Sequence, residues 1–289
     1  GNDIHLLPRF DPEELLQAIE IHKLSHMHVV PTMFVRMLRL PEEVKAKYDL
    51  SSLVHVIHGA APCPPDAKAG MIEWWGDVIF EYYGSTEAGI VSIATSADAL
   101  IKPGTVGRPL DGTIVRIYDD DGKVLPDGES GEIYMNMNDL SDFTYHNKDD
   151  KRVEIEREGL VTNGDVGYLD PDGYLFLNDR KRDMIISGGV NIYPAEIEAA
   201  LQGMPGVQDC AVFGIPHDEF GESIAAAIES QPGVSLTPDA VKDYLRDHIS
   251  AYKVPREVTF HDAMPREDTG KIFKRKLRQP YWERAGRQI

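Results

Sequence analysis

The stretch from Asn178 to Glu198 constrains this chain more than any other, because it reads as a joint between two parts of different character. Charge from Asp179 to Asp183 gives way to a short apolar strand, Met184-Ile185-Ile186. Ser187-Gly188-Gly189 follows, a turn where missing side chains let backbone approach a ligand closely. A helix then begins. Pro194 suits its first position, and Glu196 and Glu198 are expected in its first turn, where exposed amides and the helix dipole favour carboxylates.

Before the joint, strand and helix alternate. Asp11 caps a helix that opens on Pro12 and runs to about Ile21. Met27 to Val30 is a strand, and Thr32 is expected to cap a helix whose Phe34, Met37 and Leu38 share a face. Leu53 to Ile57 is a strand, Pro65 to Trp75 a helix, and Val78 to Tyr83 a strand. This order predicts a parallel sheet covered by helices, with the ligand site beyond the carboxyl ends of the strands. Gly59-Ala60-Ala61-Pro62 and Gly84-Ser85-Thr86-Glu87 stand at that position, each directly after its strand.

From Gly104 to Asp179 the character changes to short strands and turns, with hairpins expected around Asp121-Gly122 and Pro171-Asp172-Gly173. The acidic run at Asp119 is a turn rather than a calcium loop, because Lys123 takes the place of an oxygen ligand. After the joint the pattern is helix from Pro194 to Leu201, strands over 207–213 and 223–229, helix over 238–248 and strand over 257–260. That is a small α+β unit.

A chain of 289 residues, 42% hydrophobic, can bury the cores of two or more such units. It contains no apolar run long enough to span a bilayer, and its first residues lack a secretory pattern, so a cytoplasmic location is the default. Cys63 and Cys210 are far apart and in no metal-ligand spacing, which makes them free thiols without a catalytic part. The net charge of −18 argues against nucleic acid or an anionic membrane as partner, since both need a basic face. Against such a field Arg180 and Lys271 carry weight, whereas Lys274, Arg275 and Lys276 read as a solvated face.

Five segments in this order resemble the adenylate-forming superfamily of acyl-CoA synthetases, luciferases and peptide-synthetase adenylation domains. They are Gly59 to Pro62, Tyr82 to Gly89, Asn163 to Asp170, the joint itself, and Pro265 to Lys271. The resemblance covers essentially the whole chain and implies the C-terminal part of a longer enzyme, since the phosphate loop that precedes these motifs in the family is absent. The fold it implies is α/β and α+β. A partial large domain occupies 1–181, α/β over 1–103 and mainly β over 104–181, and a smaller mobile α+β domain occupies 182–289.

The resemblance also implies roles. Lys271 would contact the carboxylate and the α-phosphate in the transition state; Thr86 would bond a phosphate oxygen and Glu87 would hold Mg2+. Tyr83 would stack on adenine, Asp165 would accept from the ribose hydroxyls, and Arg180 would contact ribose or phosphate. Gly59, Ala60, Ala61 and Pro62, with Gly84, would line the pocket. Arg182 would be the pivot of the small domain, where the family has Asp or Lys, and Ser187, Gly188 and Gly189 would form the pantetheine tunnel. Plainer readings stand beside these: Ser85, Thr86 and Glu87 as caps of a following helix, Tyr83 as a strand tyrosine, Asp165 as a turn residue, and Lys271 as an exposed lysine after a turn.

The implied activity is an ATP-dependent carboxylic acid:CoA ligase working through an acyl-adenylate, with ATP, Mg2+ and CoA, on a fatty, aryl or other bulky apolar acid. Its rivals are an adenylation module that loads a carrier protein and a noncatalytic nucleotide- or acyl-binding domain.

Overall fold

The computed structural model describes residues 3–137, 143–266 and 271–286. The chain divides into two compact units, Gly1–Leu177 and Asn178–Ile289.

In the first unit the expected alternation appears as α1 (Pro12–His22), β1 (His26–Val29), α2 (Pro31–Leu38), a short α3 (Glu42–Lys45), β2 (His55–His58), α4 (Pro65–Trp75) and β3 (Ile79–Ser85). Asp11 caps α1, its carboxylate accepting from the amides of Glu13 and Glu14, both at 3.0 Å. Thr32 does not cap α2. Pro31 holds the first position with extended Val30 before it, because a proline ring already has the helical φ.

Strands β1, β2 and β3 pair in parallel as predicted. The next elements were not legible: β4 (Gly89–Ala94), α5 (Ser96–Ile101) and β5 (Arg108–Pro109), with β4 and β5 continuing the sheet in antiparallel register. The sheet is therefore mixed. Leu16, Ile19, Phe34, Met37, Val56, Met71, Trp75 and Ile79 form its main core, where α1, α2 and α4 meet the sheet.

The β-rich part expected next contains β6 (Thr113–Tyr118), β7 (Gly131–Met137), a short α6 (Asp149–Glu154), β8 (Glu156–Arg157), β9 (Leu160–Val161), β10 (Asp165–Leu169) and β11 (Leu175–Arg180). They make a second sheet in the order β11-β10-β7-β9-β8, with β6 beside β7. The turn at Asp119 is present, its carboxylate accepting from the Lys123 amide at 2.8 Å. However, β6 and β7 are joined by the whole of 119–130 rather than by that turn alone. The Asp170 to Gly173 turn between β10 and β11 matches its prediction.

The second unit carries β12 (Ile185–Ser187), β13 (Val190–Ile192), α7 (Pro194–Gly203), β14 (Val207–His217), β15 (Gly221–Ser230), α8 (Pro238–His248), β16 (Glu257–His261) and α9 (Lys274–Arg284). Its sheet runs β13-β12-β15-β14, with β16 parallel to β15. Cys210 and Val212 of β14 pack with Ile197, Leu201, Val241 and Leu245 of α7 and α8. The alternate residues Ala211, Phe213 and Ile215 pack with Leu277 of α9. Burial of both faces explains why this strand reads as a continuous apolar run.

Phe34 is fully buried and touches both His58 and Trp75 edge-on. Phe34→Ala should lower stability by about 3–5 kcal/mol through lost burial and a residual cavity, read as an earlier urea midpoint for unfolding of the first unit.

Candidate functional site

The two loops singled out in the first unit leave adjacent parallel strands at their carboxyl ends. The first, Gly59 to Pro62, follows β2. A side chain on Gly59 would come within 2.8 Å of the Tyr82 ring and 2.9 Å of the Tyr82 carbonyl, so only glycine lets the strands approach here. Ala60 sits at φ 67°, a left-handed conformation that costs an alanine energy and that persists where surrounding structure enforces it.

The second loop is the turn between β3 and β4. Ser85 Oγ accepts from the Ala88 amide at 3.1 Å, which closes a turn into β4, so Ser85, Thr86 and Glu87 do not cap a helix. Gly84 stands at a register shift in the β3–β4 ladder, and a methyl group there would meet the Gly89 carbonyl at 2.0 Å. Thr86 is exposed at the tip. Half-buried Glu87 accepts a hydrogen bond from the Tyr145 hydroxyl at 2.8 Å, a partner that sequence reasoning missed. Burial and this contact push the Tyr145 phenol up to about 12, so it remains a donor at neutral pH.

Asp165 opens β10, in the other sheet, yet it meets the same place. The Tyr83 hydroxyl donates to Asp165 Oδ2 at 2.9 Å, and the Asn163 amide donates to the same oxygen at 2.8 Å. Tyr83 and Asp165 are both buried, at 7% and 9% exposure. Two residues 82 positions apart, each expected to contact a different part of a nucleotide, are in direct contact.

Beneath these loops lies a buried polar cluster that the sequence did not announce. Lys68 of α4 forms an ion pair with Glu81 of β3, and the His58 Nδ1 lies 3.9 Å from the other Glu81 oxygen. Burial pushes the Glu81 carboxyl above its usual range. His58, fully buried immediately before Gly59, is lowered to about 3, first by burial and then by the Lys68 charge. It is a neutral imidazole at physiological pH.

In the second unit Lys271 is exposed and precedes α9. The rest of the Asp268-Thr269-Gly270 motif lies outside the described residues. Arg180 is half-buried at the end of β11, and Arg182 is 71% exposed in its side chain, 3.9 Å from Asp183. Ser187 and Gly188 turn with Gly189 between β12 and β13, both glycines at positive φ, 58° and 81°. Ser187 and Gly188 line a cleft of about 680 Å³ with Phe220, Tyr252, Lys242 and Arg256.

Lys274 corrects the sequence reading. Rather than part of a solvated face, it reaches Glu198 Oε1 at 2.8 Å, with 24% of its side chain exposed. Glu198 lies beyond the first turn of α7, where it was expected, and the same oxygen accepts from the Val212 amide at 2.6 Å. Glu196 does stand in the first turn of α7, and there Asp179 also accepts from the Ala195 amide at 2.8 Å.

A magnesium ion keeps several waters and takes one or two carboxylates with phosphate oxygens. Glu87, braced by Tyr145 and next to the Thr86 hydroxyl, fits that habit. Among the described residues no group of three or more His, Cys, Asp or Glu could hold a metal unaided, and no helix is long and apolar enough to cross a membrane.

Comparison with known proteins adds to this geometry. The family described as AMP-binding enzyme matches residues 1–141, and its companion, AMP-binding enzyme C-terminal domain, matches residues 196–271. A long-chain-fatty-acid–CoA ligase of Bacillus subtilis is 34% identical over 278 residues, 96% of this chain and 49% of that protein. A feruloyl-CoA synthase of Amycolatopsis is 36% identical over 282 residues, 97% of this chain and 57% of that protein. Among solved structures, the o-succinylbenzoate CoA synthetase of Bacillus subtilis in complex with its acyl-adenylate intermediate is similar with a TM-score of 0.80 at 29% identity, over 93% of this chain and 54% of that one. The chain thus spans about half the length of the relatives it matches.

The buried imidazole makes a pH prediction. Because folding depresses the His58 pKa from 6.5 to about 3, the unfolded chain binds the extra proton across that interval. Its contribution to stability is whole above pH 6.5 and is lost as pH falls toward 3, with a limiting slope of about 1.4 kcal/mol per pH unit. Denaturant unfolding of wild type and His58→Leu from pH 7 to 4 should give a shallower acid slope for the variant.

Proposed function

The chain belongs to the AMP-binding enzyme family, and from that premise we propose that it serves an ATP-dependent carboxylic acid:CoA ligase acting through an acyl-adenylate. The observation that carries this reading is the contact between Tyr83 and Asp165. That contact joins the residue expected to stack on adenine to the residue expected to accept from the ribose hydroxyls, so one nucleotide would meet both at a single place.

In the first half-reaction a carboxylate oxygen of the acid bonds to the α-phosphorus of ATP, the bond to the bridging oxygen breaks, and pyrophosphate leaves. Charge accumulates on the phosphorus oxygens as two anions are brought together, so fixed cations and donors are required. Lys271 supplies a cation, and Thr86 a hydroxyl donor to a phosphate oxygen. Glu87 holds Mg2+, which neutralises the nucleotide when bound. Arg180 contacts ribose or phosphate, and Gly59 to Pro62, with Gly84, present backbone and small side chains to the acid and the base.

In the second half-reaction the CoA sulfur attacks the acyl carbonyl and AMP leaves. Ser187, Gly188 and Gly189 take the pantetheine, Arg182 acts as pivot of the small domain over 182–289, and Lys242 and Arg256 in the neighbouring cleft offer charge to the phosphates of CoA. The relatives named above activate a fatty and an aryl acid, which supports a bulky apolar acid as substrate. The cytoplasm is the compartment that suits this chemistry and two free thiols.

The test is acid-dependent ATP–pyrophosphate exchange by the full product of the gene, across aliphatic and aromatic acids, with CoA and a carrier protein compared as acceptors. Exchange stimulated by one acid class, with thioester formed on CoA, is the expected result; no exchange by the folded protein would refute the reading. Lys271→Ala should cut exchange roughly 100–1,000-fold while thioester formation from preformed acyl-adenylate stays near wild type. Equal loss in both would refute the role given to Lys271.

A further inference from the structure

Lys271 stands in a segment whose two ends are each held by an ion pair. On the entering side Arg266 reaches Asp209 Oδ2 at 2.5 Å, and Asp209 is buried on β14. Just before it, the Met264 amide donates to Glu229 Oε2 of β15 at 2.9 Å. On the leaving side Lys274 meets Glu198 at 2.8 Å. Between them Arg266 and Ile272 form an antiparallel bridge, and the Phe273 amide donates to the Pro265 carbonyl at 2.7 Å. The stem of the segment is closed by backbone and tied to the sheet by charge.

The second tie also reaches the joint. Burial works against the Lys274 charge, but attraction from Glu198 and then Asp179 outweighs it and holds the ammonium above its usual pKa. Glu198 belongs to α7, and Asp179 caps that helix through the Ala195 amide. One turn further along α9, Arg278 donates to the Arg182 carbonyl at 3.5 Å. The start of α9 therefore meets the helix and the charged run from which the joint is built.

A lysine is a point charge on a flexible stem, so what its ammonium can reach is set by the backbone from which it springs. Lys271 is exposed, and the ties at its stem are what fix that origin. We propose that Lys274 is a positioning residue: its pairing with Glu198 fixes the Lys271 segment to β14 and the joint, and so sets the reach of the Lys271 ammonium. This rests on the role proposed above for Lys271. Lys274 touches no substrate; it acts through the residue three positions before it.

The test is Lys274→Met in the full gene product, with Lys274→Arg as the conservative variant. A misplacement of about 1 Å costs on the order of 100-fold in rate. The Met variant should therefore lose roughly 10- to 100-fold in kcat for ATP–pyrophosphate exchange, with KM for ATP and acid little changed. Thioester formation from preformed acyl-adenylate should stay within about twofold. Lys274→Arg, which keeps a cation beside Glu198, should recover most of the exchange. Unchanged exchange in the Met variant, equal loss in both half-reactions, or no recovery with Arg would overturn the proposal. If the wild-type protein shows no exchange, the reading of the function fails by itself. The tie is then decided on this chain by amide hydrogen exchange. Faster exchange at Ile272 and Phe273 in Lys274→Met, with α8 unaltered, supports it; the same rates as wild type overturn it.

Discussion

Charges carried out of water must bring partners with them, and the pairings that satisfy this rule hold the working parts of both units. In the first unit Lys68 and Glu81 tie α4 to β3 directly under the two loops of the candidate site. Tyr83 and Asp165 tie the first sheet to the second. In the second unit Lys274 and Glu198 tie α9 to α7 and β14. Removing one partner of such a pair leaves an uncompensated buried charge, which is costlier than losing the contact.

The cores do the complementary work. Parallel strands β1, β2 and β3 end at one edge, so the residues that follow β2 and β3 emerge side by side whatever their side chains. What adapts the loops to close approach is local. Gly59 and Gly84 admit backbone where a methyl group would collide, and Ala60 takes a left-handed conformation beside them. In the second unit β14 is buried on both faces, which lets a single strand receive α7 and α8 on one side and α9 on the other.

Much of this was legible from the residues. Asp11-Pro12 marks a helix start because a capping oxygen and a fixed φ act within one turn, and α4 and α8 have their predicted bounds. The turn at Gly188-Gly189 was legible for the same local reason. Where the reading failed, a distant partner decided. Lys274 among basic neighbours reads as solvated until Glu198 is brought beside it. Ser85 to Glu87 read as caps of a following helix, and the pairing of β4 along β3 made them a turn. Tyr145, which braces Glu87, lies 58 positions away and carries no local signal.

The sequence by itself therefore determined the main elements from α1 to β3 and from α7 to β16, the place of the joint, and the motifs that mark the family, because caps, prolines, glycines and hydrophobic periods act over a few residues. Tertiary structure alone decided which polar side chains meet: Tyr83 with Asp165, Lys68 with Glu81, Lys274 with Glu198. The physical reason is range. A hydrogen bond or a buried ion pair acts over about 3 Å in space, without regard to separation along the chain, so its partners become known only when the fold has brought them together.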